Sequence, residues 1–126
     1  MTKLSHIRLE LGRTSEFPQG SPDHGYEFVA PLTGDGFVDA DAWRHVKQHC
    51  GVRRFWGRES DEHGMLRHIG HGWQFDYGRN DDEEPFFRLD KHSFVVGNYV
   101  SIREHDGIVR PFRVTEVLAV PNMAQS

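Results

Sequence analysis

The stretch that decides the fold is FVVGNYVSIREHDGIVRPFRVTEVL, residues 94–118. Apolar and polar residues alternate on both sides of Asp106-Gly107, a dipeptide that favours a tight turn between antiparallel strands. The pattern predicts strands over residues 94–104 and 108–118, joined as a hairpin.

The same alternation recurs in the upstream part of the chain. Apolar residues alternate with polar ones over residues 6–13, which predicts a half-buried strand. Similar patterns predict strands over residues 26–32, 52–59 and 65–77, and a short strand or an irregular apolar plug at 86–89. Segments 15–25 and 78–85 are rich in turn-forming or acidic residues, so we expect them to be loops.

One segment, residues 39–50, has the spacing of an amphipathic helix. Asp39 can cap its first turn. Its apolar stripe, which we expect to face the sheet, consists of Ala42, Trp43, Val46 and Cys50. Six to seven strands and one helix predict a mainly β (α+β) fold, either a small antiparallel β-barrel or a strongly bent sheet with the helix as a lid.

The length and composition fit one small domain. The chain has 126 residues, and we expect a single domain over 1–126 with a frayed tail at 121–126. No segment approaches the roughly 18 apolar residues of a membrane helix, and the N-terminus lacks the apolar core of a secretion signal. We therefore expect a soluble, cytoplasmic protein. The net charge of −4 argues against general nucleic-acid binding, which usually needs a basic face.

Nine histidines are the anomaly of the composition. His45 and His49 would be neighbours on the helix, where two imidazoles can share a metal ion. A third ligand would have to come from the rest of the fold, and His71, His24 and Asp76 are the candidates. The alternative is structural, because histidines in the last turn suit the negative end of a helix. A divalent metal ion at His45, His49 and His71 is therefore a prediction, and no other cofactor is indicated.

The histidines of the strand predicted over residues 65–77 do not form a metal motif by themselves. Side chains alternate faces along a strand, so His68 and His71 would point to opposite sides. Ile69 and Trp73 share the face of His71, which we expect to line the core. The simplest interpretation is a His71 that is hydrogen-bonded at the edge of the core.

Residues 52–58, VRRFWGR, interleave arginines with aromatic rings, as proteins that bind single-stranded nucleic acid do. Alternation places Arg54, Trp56 and Arg58 on one face of the strand and Arg53 on the other. If Trp56 is exposed, it forms a cationic platform for a base or an acidic peptide. If Trp56 is buried, which we favour, its arginines pair with local acids such as Asp76 and Glu59.

His24 completes the set of predicted binding residues, which is Trp56, Arg54, Arg58 and His24. It lies in the loop predicted over residues 15–25, and loops on a rigid scaffold often carry functional residues. The alternative is an Asx-type turn at Asp23 with an exposed histidine.

Other chemistries have weaker signals. Cys50 is expected to be a buried small hydrophobe. The sequence has no Gly-x-Ser-x-Gly elbow and no phosphate-binding glycine loop. Acidic residues 81–84 are expected to form a solvated flap.

Four segments resemble an uncharacterised family of small bacterial proteins of unknown function. They are FPQGSPDHGYEFVAPL, CGVRRFWGRE, GWQFDY and FVVGNYVSIRE, and the similarity extends over residues 6–118. The resemblance implies no activity. The hairpin of residues 94–118 also resembles the closing hairpin of many small barrels, which bears on the fold and not on the function.

Three functions follow as hypotheses. The first is a non-catalytic module that binds a protein partner or forms a homodimer, because the chain has more aromatic residues than a small core holds; Trp56, Tyr99 and Phe86 or Phe87 are its candidate contacts. The second is a small metal- or histidine-dependent enzyme that uses His45 and His49 with His71 or His24. The third is binding of single-stranded nucleic acid or a nucleotide by Arg53, Arg54, Trp56 and Arg58.

Overall fold

The computed structural model of the protein describes residues 3–70, 72–78, 86–88, 93–104 and 106–120. The chain forms eight strands and one α-helix with a 3₁₀ turn after it. The strands are β1 (Lys3–Leu11), β2 (Ser21–Leu32), β3 (Gly51–Trp56), β4 (Glu62–Ile69), β5 (Gly72–Asp76), β6 (Phe86–Arg88), β7 (Tyr99–Arg103) and β8 (Val109–Ala119). Helix α1 (Ala40–Val46) and the 3₁₀ turn (Lys47–His49) connect β2 to β3.

The eight strands form a closed antiparallel barrel in chain order. Strand β1 closes it, because it pairs with β2 on one side and with β8 on the other; Ile7, for example, is opposite both Phe28 and Val117. The shortest member is β6, which meets β7 through the pair Phe86 and Arg103. The predicted class, a mainly β fold with a small antiparallel barrel and one helix, is confirmed.

The segment predicted as one strand over residues 65–77 contains a turn, which is why the barrel has eight strands. Gly70 has a φ of +49°, and β4 and β5 pair on either side of it, with His68 opposite Trp73. The turn resets the alternation of faces, so Leu66 and Trp73 are buried while Ile69 is 36% exposed. The prediction that Ile69 shares the core face with Trp73 is therefore wrong. His71 lies outside the described residues.

Other strand boundaries also differ from the predicted ones. Strand β2 begins at Ser21, inside the segment predicted as a loop, because Ser21 pairs with Leu11 of β1 and residues 24–28 pair with β3. Strand β3 ends at Trp56 rather than at residue 59, and β7 begins at Tyr99 rather than at residue 94. The predicted loop at 78–85 and the tail at 121–126 lie largely or wholly outside the described residues.

Aromatic rings fill the middle of the barrel. The inward-facing side chains of Tyr26, Phe28 and Phe75 are buried, with ring centroids 4.9 Å (Tyr26–Phe75) and 5.2 Å (Phe28–Phe75) apart. An eight-stranded barrel has an interior just wide enough for its side chains or for one small ligand. The central section is therefore packed, and any site must lie towards one end.

Helix α1 covers one end of the barrel, called here the helix end. Asp39 caps it as predicted, since its Oδ1 accepts a hydrogen bond from the Ala42 amide at 3.1 Å. Trp43 donates from Nε1 to the Leu66 carbonyl at 3.1 Å, and Val46 packs against the core. Cys50 is fully buried beyond the 3₁₀ turn, as predicted. No helix in the described ranges has the length and apolar character to cross a membrane.

The opposite end is called here the polar end. It is formed by the start of β2, the β3–β4 turn (residues 57–61), the end of β5 and the β7–β8 hairpin. The antiparallel order brings these segments together, because β2 begins where β3 ends. Most of the charged residues that face into the barrel lie here.

Candidate functional site

Strand β3 carries a charged residue into the barrel. Val52 and Arg54 are buried and face inward together with Trp56, while Arg53 points outward. The register fixes this choice, because Arg54 lies opposite the buried Tyr26 and Val52 lies opposite the buried Phe28.

The β7–β8 hairpin supplies two more charged residues to the same interior. Glu104 follows the buried Val100 and Ile102 in the alternation of β7 and is only 1% exposed. Arg110 lies on β8 next to the buried Phe112, and its side chain is 11% exposed. We call Tyr26, Arg54, Trp56, Glu104 and Arg110 the polar cluster.

The carboxyl group of Glu104 lies at the centre of the polar cluster. Its Oε1 is 3.6 Å from Nη2 of Arg54 and 3.7 Å from Nη1 of Arg110. Its Oε2 accepts a hydrogen bond from the Tyr26 hydroxyl. Oε1 is buried and has no hydrogen-bond partner among the described residues. The two oxygens therefore differ, because Tyr26 holds one while the other lies between two cations.

Burial raises the pKa of Glu104 to about 8; Arg110 acts in the opposite direction and Asp106 in the same one. Burial also lowers the pKa of Arg54. The largest cause of both shifts is the loss of water around a charged group. Near pH 7, Glu104 is therefore mainly a neutral acid that can donate a hydrogen bond, beside two guanidinium groups.

Arg54 is the cation of the polar cluster that is not satisfied. Its Cζ lies 4.1 Å from the centroid of the Trp56 ring, and its side chain is 5% exposed. Its Nη1 is 3.9 Å from the exposed Glu59, which is beyond a hydrogen bond, and its buried Nε has no partner within the described part of the chain. A buried guanidinium normally uses its five donors, whereas the buried Nε of Arg54 makes no hydrogen bond to the described residues.

Arg110 differs from Arg54 because a carboxylate already holds it. Its Nη1 and Nη2 donate to the two carboxylate oxygens of Asp106 at 3.1 and 3.0 Å. Hydrogen bonding to Asp106 raises the pKa of Arg110. The charge of Arg110 is thus largely balanced, and that of Arg54 is not.

His24 supports the Trp56 ring from the start of β2. Its Nδ1 is 2.7 Å from the Ser21 hydroxyl, and its ring meets Trp56 edge-on with centroids 4.8 Å apart. The close approach requires a small residue at Gly57, where a Cβ would lie 3.1 Å from the His24 Nε2. His24 therefore helps to position the ring on which Arg54 lies.

The structure brings together three of the four predicted binding residues. His24, Arg54 and Trp56 are in contact, whereas Arg58 is exposed on the turn after β3. Of the two acids predicted as partners, Glu59 lies near Arg54, but Asp76 pairs with Arg67 at 2.6 Å. On this face of β3, Arg54 is buried, Trp56 is half-buried and Arg58, beyond the strand, is exposed.

Arg53 belongs to a separate network on the outer face of the barrel. It donates to Glu27 at 2.7 Å and to Asp61 at 2.7 Å, and its guanidinium lies 5.0 Å from the Phe55 ring. Arg8 lies 4.4 Å from the same ring and donates to Glu27 at 2.9 Å. These cations are satisfied by neighbouring carboxylates.

The predicted metal site is not assembled among the described residues. His45 and His49 are exposed on α1 and the 3₁₀ turn, at the helix end, while His24 lies at the polar end. No group of three or more potential ligands is placed to hold an ion within the described ranges. The described residues do not bring His24 to His45 and His49, and the site with His71 stays a prediction because His71 lies outside them. The Cys50 thiol is buried, and burial raises its pKa to about 11.

Sequence reasoning missed Glu104, Arg110 and Tyr26 as site residues. A signal was present, since Glu104 is in phase with two apolar residues of its strand and Arg54 is in phase with Val52. A charged residue at a core-facing position is rare unless it is paired or functional.

Comparisons of the chain with protein-family models, with curated proteins and with solved structures gave no match. The resemblance to small bacterial proteins therefore stays a prediction, and the function has to be argued from the geometry of the site.

Proposed function

We propose that the protein is a non-catalytic binding barrel whose polar end binds a small molecule through an oxyanion held by Arg54 and Arg110. One observation carries the proposal: the Arg54 guanidinium is buried, and its Nε lacks a hydrogen-bond partner among the described residues. A desolvated cation without acceptors costs stability, and a bound oxyanion supplies the acceptors.

The surroundings of Arg54 support binding of this kind. The side chains come from strands, so their positions are rigid, and the mouth of a β-barrel is a common place for a small ligand. The Trp56 ring lies against the guanidinium, whose N–H donors are at its edge, and the buried Nε among them has no partner in the described residues.

Direct binding of simple anions tests the proposal. The ¹⁵N-labelled protein is titrated with acetate, sulfate or phosphate, and the Nε–Hε cross-peak of Arg54 is followed by NMR. Arg54→Met identifies the peak by its loss, and Arg113→Met, on the exposed face of β8, is the matched control. Saturable shifts of the Arg54 peak that persist in the control support the proposal. Shifts that are linear for every anion and equal at all arginines would refute it.

A protein partner or a second copy of the chain is the second candidate for the function. Tyr99 favours it, because this ring is 59% exposed on the outer face of β7. Of the other predicted contacts, Trp56 is half-buried, and the side chains of Phe86 and Phe87 lie outside the described residues. Sedimentation over a wide concentration range, with Tyr99→Ser as the comparison, tests self-association. A sedimentation coefficient that stays at the monomer value over the whole concentration range would refute the homodimer.

Nucleotide binding by the whole predicted set is less well supported. Arg53 is held by carboxylates on the outer face, and Arg58 is exposed on a turn, so neither adjoins Trp56 on the inner face. An enzymatic role through His45 and His49 stays a prediction for a site that includes His71.

A further inference from the structure

We propose that the oxyanion bound at the polar cluster is a carboxylate of single charge, and that Glu104 keeps its proton while the carboxylate is bound. The inference rests on the proposed function and adds to it the class of ligand and the coupling to pH.

The balance of charges inside the barrel selects the charge of the ligand. Arg54 and Arg110 are both cationic, and Asp106 offsets Arg110 through two hydrogen bonds. Glu59 and Glu16 are largely exposed and make no hydrogen bond to these arginines, at 3.9 and 3.7 Å. If only buried or hydrogen-bonded carboxyl groups are counted and Glu104 is protonated, one positive charge is left, on Arg54. With Glu104 ionised, none is left. A monoanion therefore matches the site in the protonated state, whereas a dianion would leave an unbalanced charge in a region away from water.

The position of Glu104 makes ligand binding and its own ionisation compete. Its Oε1 lies within 3.7 Å of both guanidinium groups, so an oxyanion that they hold must lie next to this carboxyl. Two carboxylates that share a site do not both ionise readily, because the like charges repel and the pKa of one of them rises. Tyr26 occupies Oε2, so the proton can sit on Oε1 and be donated to the ligand.

The shape of the recognition group favours a carboxylate. A guanidinium presents parallel N–H groups that match the two oxygens of a carboxylate in a bidentate pair. The Trp56 ring lies against the Arg54 guanidinium, whose Cζ is 4.1 Å from the ring centroid, so a bidentate partner must approach from the edge of the group. A protonated carboxyl group next to it adds a third donor.

The groups around Glu104 set the direction of the pH effect. They are Tyr26 from β2, Arg54 from β3, Arg110 from β8 and Asp106 from the β7–β8 turn. Burial raises the pKa of Glu104 to about 8, so the empty site is mainly protonated near neutral pH. Above that pH the ligand must bind with uptake of one proton, and its affinity should fall about tenfold per pH unit.

Acidic residues at the edge of the polar end reinforce the selection against dianions. Glu59 lies 3.9 Å from Arg54, and Glu16 lies 3.7 Å from Arg110; both side chains are largely exposed. Their charges weaken the binding of a dianion more than that of a monoanion, because the repulsion scales with ligand charge. We expect Glu59→Gln to tighten the binding of every anion by a few-fold.

The experiment titrates acetate and benzoate, with sulfate and phosphate as comparison anions, into the native protein at pH values from 6 to 9.5. The Nε–Hε peak of Arg54 reports binding, and calorimetry in two buffers of different ionisation enthalpy counts the protons taken up. We expect the two carboxylates to bind more tightly than sulfate and phosphate. Their dissociation constants should be flat below the pKa of Glu104 and rise above it, with proton uptake approaching one.

Two variants distinguish the effect of the Glu104 proton on binding from an effect on folding. Glu104→Gln keeps the shape and a donor but cannot ionise, so carboxylate binding should persist and lose its pH dependence. Tyr26→Phe keeps the ring and removes the donor to Oε2, which raises the pKa of Glu104 and should move the loss of affinity to higher pH. Arg113→Met is again the control, and thermal melting checks that each variant folds.

The outcomes distinguish the inference from the function on which it rests. Tighter binding of sulfate or phosphate at Arg54 would overturn the carboxylate class and leave the oxyanion site standing. Carboxylate binding that stays independent of pH in the native protein, without proton uptake, would overturn the role of Glu104. Failure of all four anions to shift the Arg54 peak saturably would overturn the proposed function itself.

Discussion

Arg53 and Arg54 are neighbours in the chain, but their side chains lie on opposite faces of the barrel wall. Arg53 lies on the outer face and makes three hydrogen bonds to Glu27 and Asp61, at 2.7 to 3.1 Å. Arg54 lies inside, 3.6 and 3.9 Å from its nearest ion-pair partners, and its Nε is unpaired within the described ranges. One peptide unit separates a satisfied surface network from an unsatisfied buried one.

The comparison teaches where to look for function in this protein. The outer network needs no ligand to balance its charges, because its half-exposed arginines already pair with neighbouring carboxylates. Its members are Arg8, Arg53, Glu10, Glu27 and Asp61. The polar cluster still needs an explanation, because Arg54 and Glu104 are desolvated and only partly paired. The polar cluster should lose its contribution to stability as the pH rises, and the outer network should lose its contribution as the pH falls.

The largest expected effect is a loss of stability as the pH rises from 5 to 9. The pKa of Glu104 is raised in the folded state, from 4.5 to about 8, so its contribution is complete below pH 4.5 and is lost as the pH rises through 8. At about 1.4 kcal/mol per pH unit, the free energy of unfolding should fall by on the order of 3 to 5 kcal/mol. Urea denaturation at pH 5, 7 and 9 measures it.

Glu104→Gln is the control for this fall, because an amide does not ionise. The difference between pH 5 and pH 9 should shrink to the small change that the other groups cause. A native protein as stable at pH 9 as at pH 5 would contradict the burial of an ionisable carboxyl group.

The second effect concerns Arg54 itself. Arg54→Met removes a buried cation and leaves an apolar side chain of similar length on Trp56, so we expect a gain of about 1 to 3 kcal/mol in unfolding free energy at pH 7. The same variant should lose the binding of anions. Denaturation and the anion titration measure the two results on one sample. If the free energy of unfolding of Arg54→Met is instead lower than that of the native protein at pH 7, Arg54 stabilises the fold and the argument that it lacks a partner fails.

The third effect tests the outer network at acid pH. Burial opposes the ionisation of Glu27, but its hydrogen bonds to Arg8 and Arg53 outweigh this, and the net result is a lowered pKa. Its contribution is therefore present above the unfolded value of 4.5 and is lost as the pH falls through the folded pKa. In Glu27→Gln, the fall in stability between pH 5 and pH 2 should be smaller than in the native protein. Equal acid profiles would argue against the network.

The smallest effect separates the sequence pattern from the structure. Arg58 belongs to the predicted platform but is exposed beyond the end of β3. Arg58→Met should change the free energy of unfolding by less than about 0.5 kcal/mol and leave anion binding intact. A loss of anion binding as large as that of Arg54→Met would support the predicted cationic platform in which Arg58 also contacts the ligand.

Part of the site could be predicted from the sequence, and part could not. The arginines and the ring of residues 52–58 were identified because cations next to an aromatic ring form a local pattern. The pairing of Arg54 with Glu104 was not, since about 50 residues and four strands lie between them. The face of β3 that is buried depends on its register against β2, which no local pattern fixes.

The histidines show the same limit from the other side. His45 and His49 have ideal spacing for a shared ion, and that spacing is local. A third ligand depends on which strand crosses the helix, and the described residues place His24 at the far end of the barrel. The spacing of His45 and His49 within one element therefore predicted half of a metal site, and the fold does not bring His24 to it as a third ligand.

The sequence by itself determined the mainly β class, the hairpin at Asp106-Gly107 and the helix that begins after Asp39, because each depends on the conformations of neighbouring residues. Only the tertiary structure decided that the segment after residue 65 folds back at Gly70 and that the barrel closes through β1. It also decided that Tyr26, Glu104 and two arginines meet away from water. Burial and register are properties of the whole barrel, and they set the charge state of Glu104.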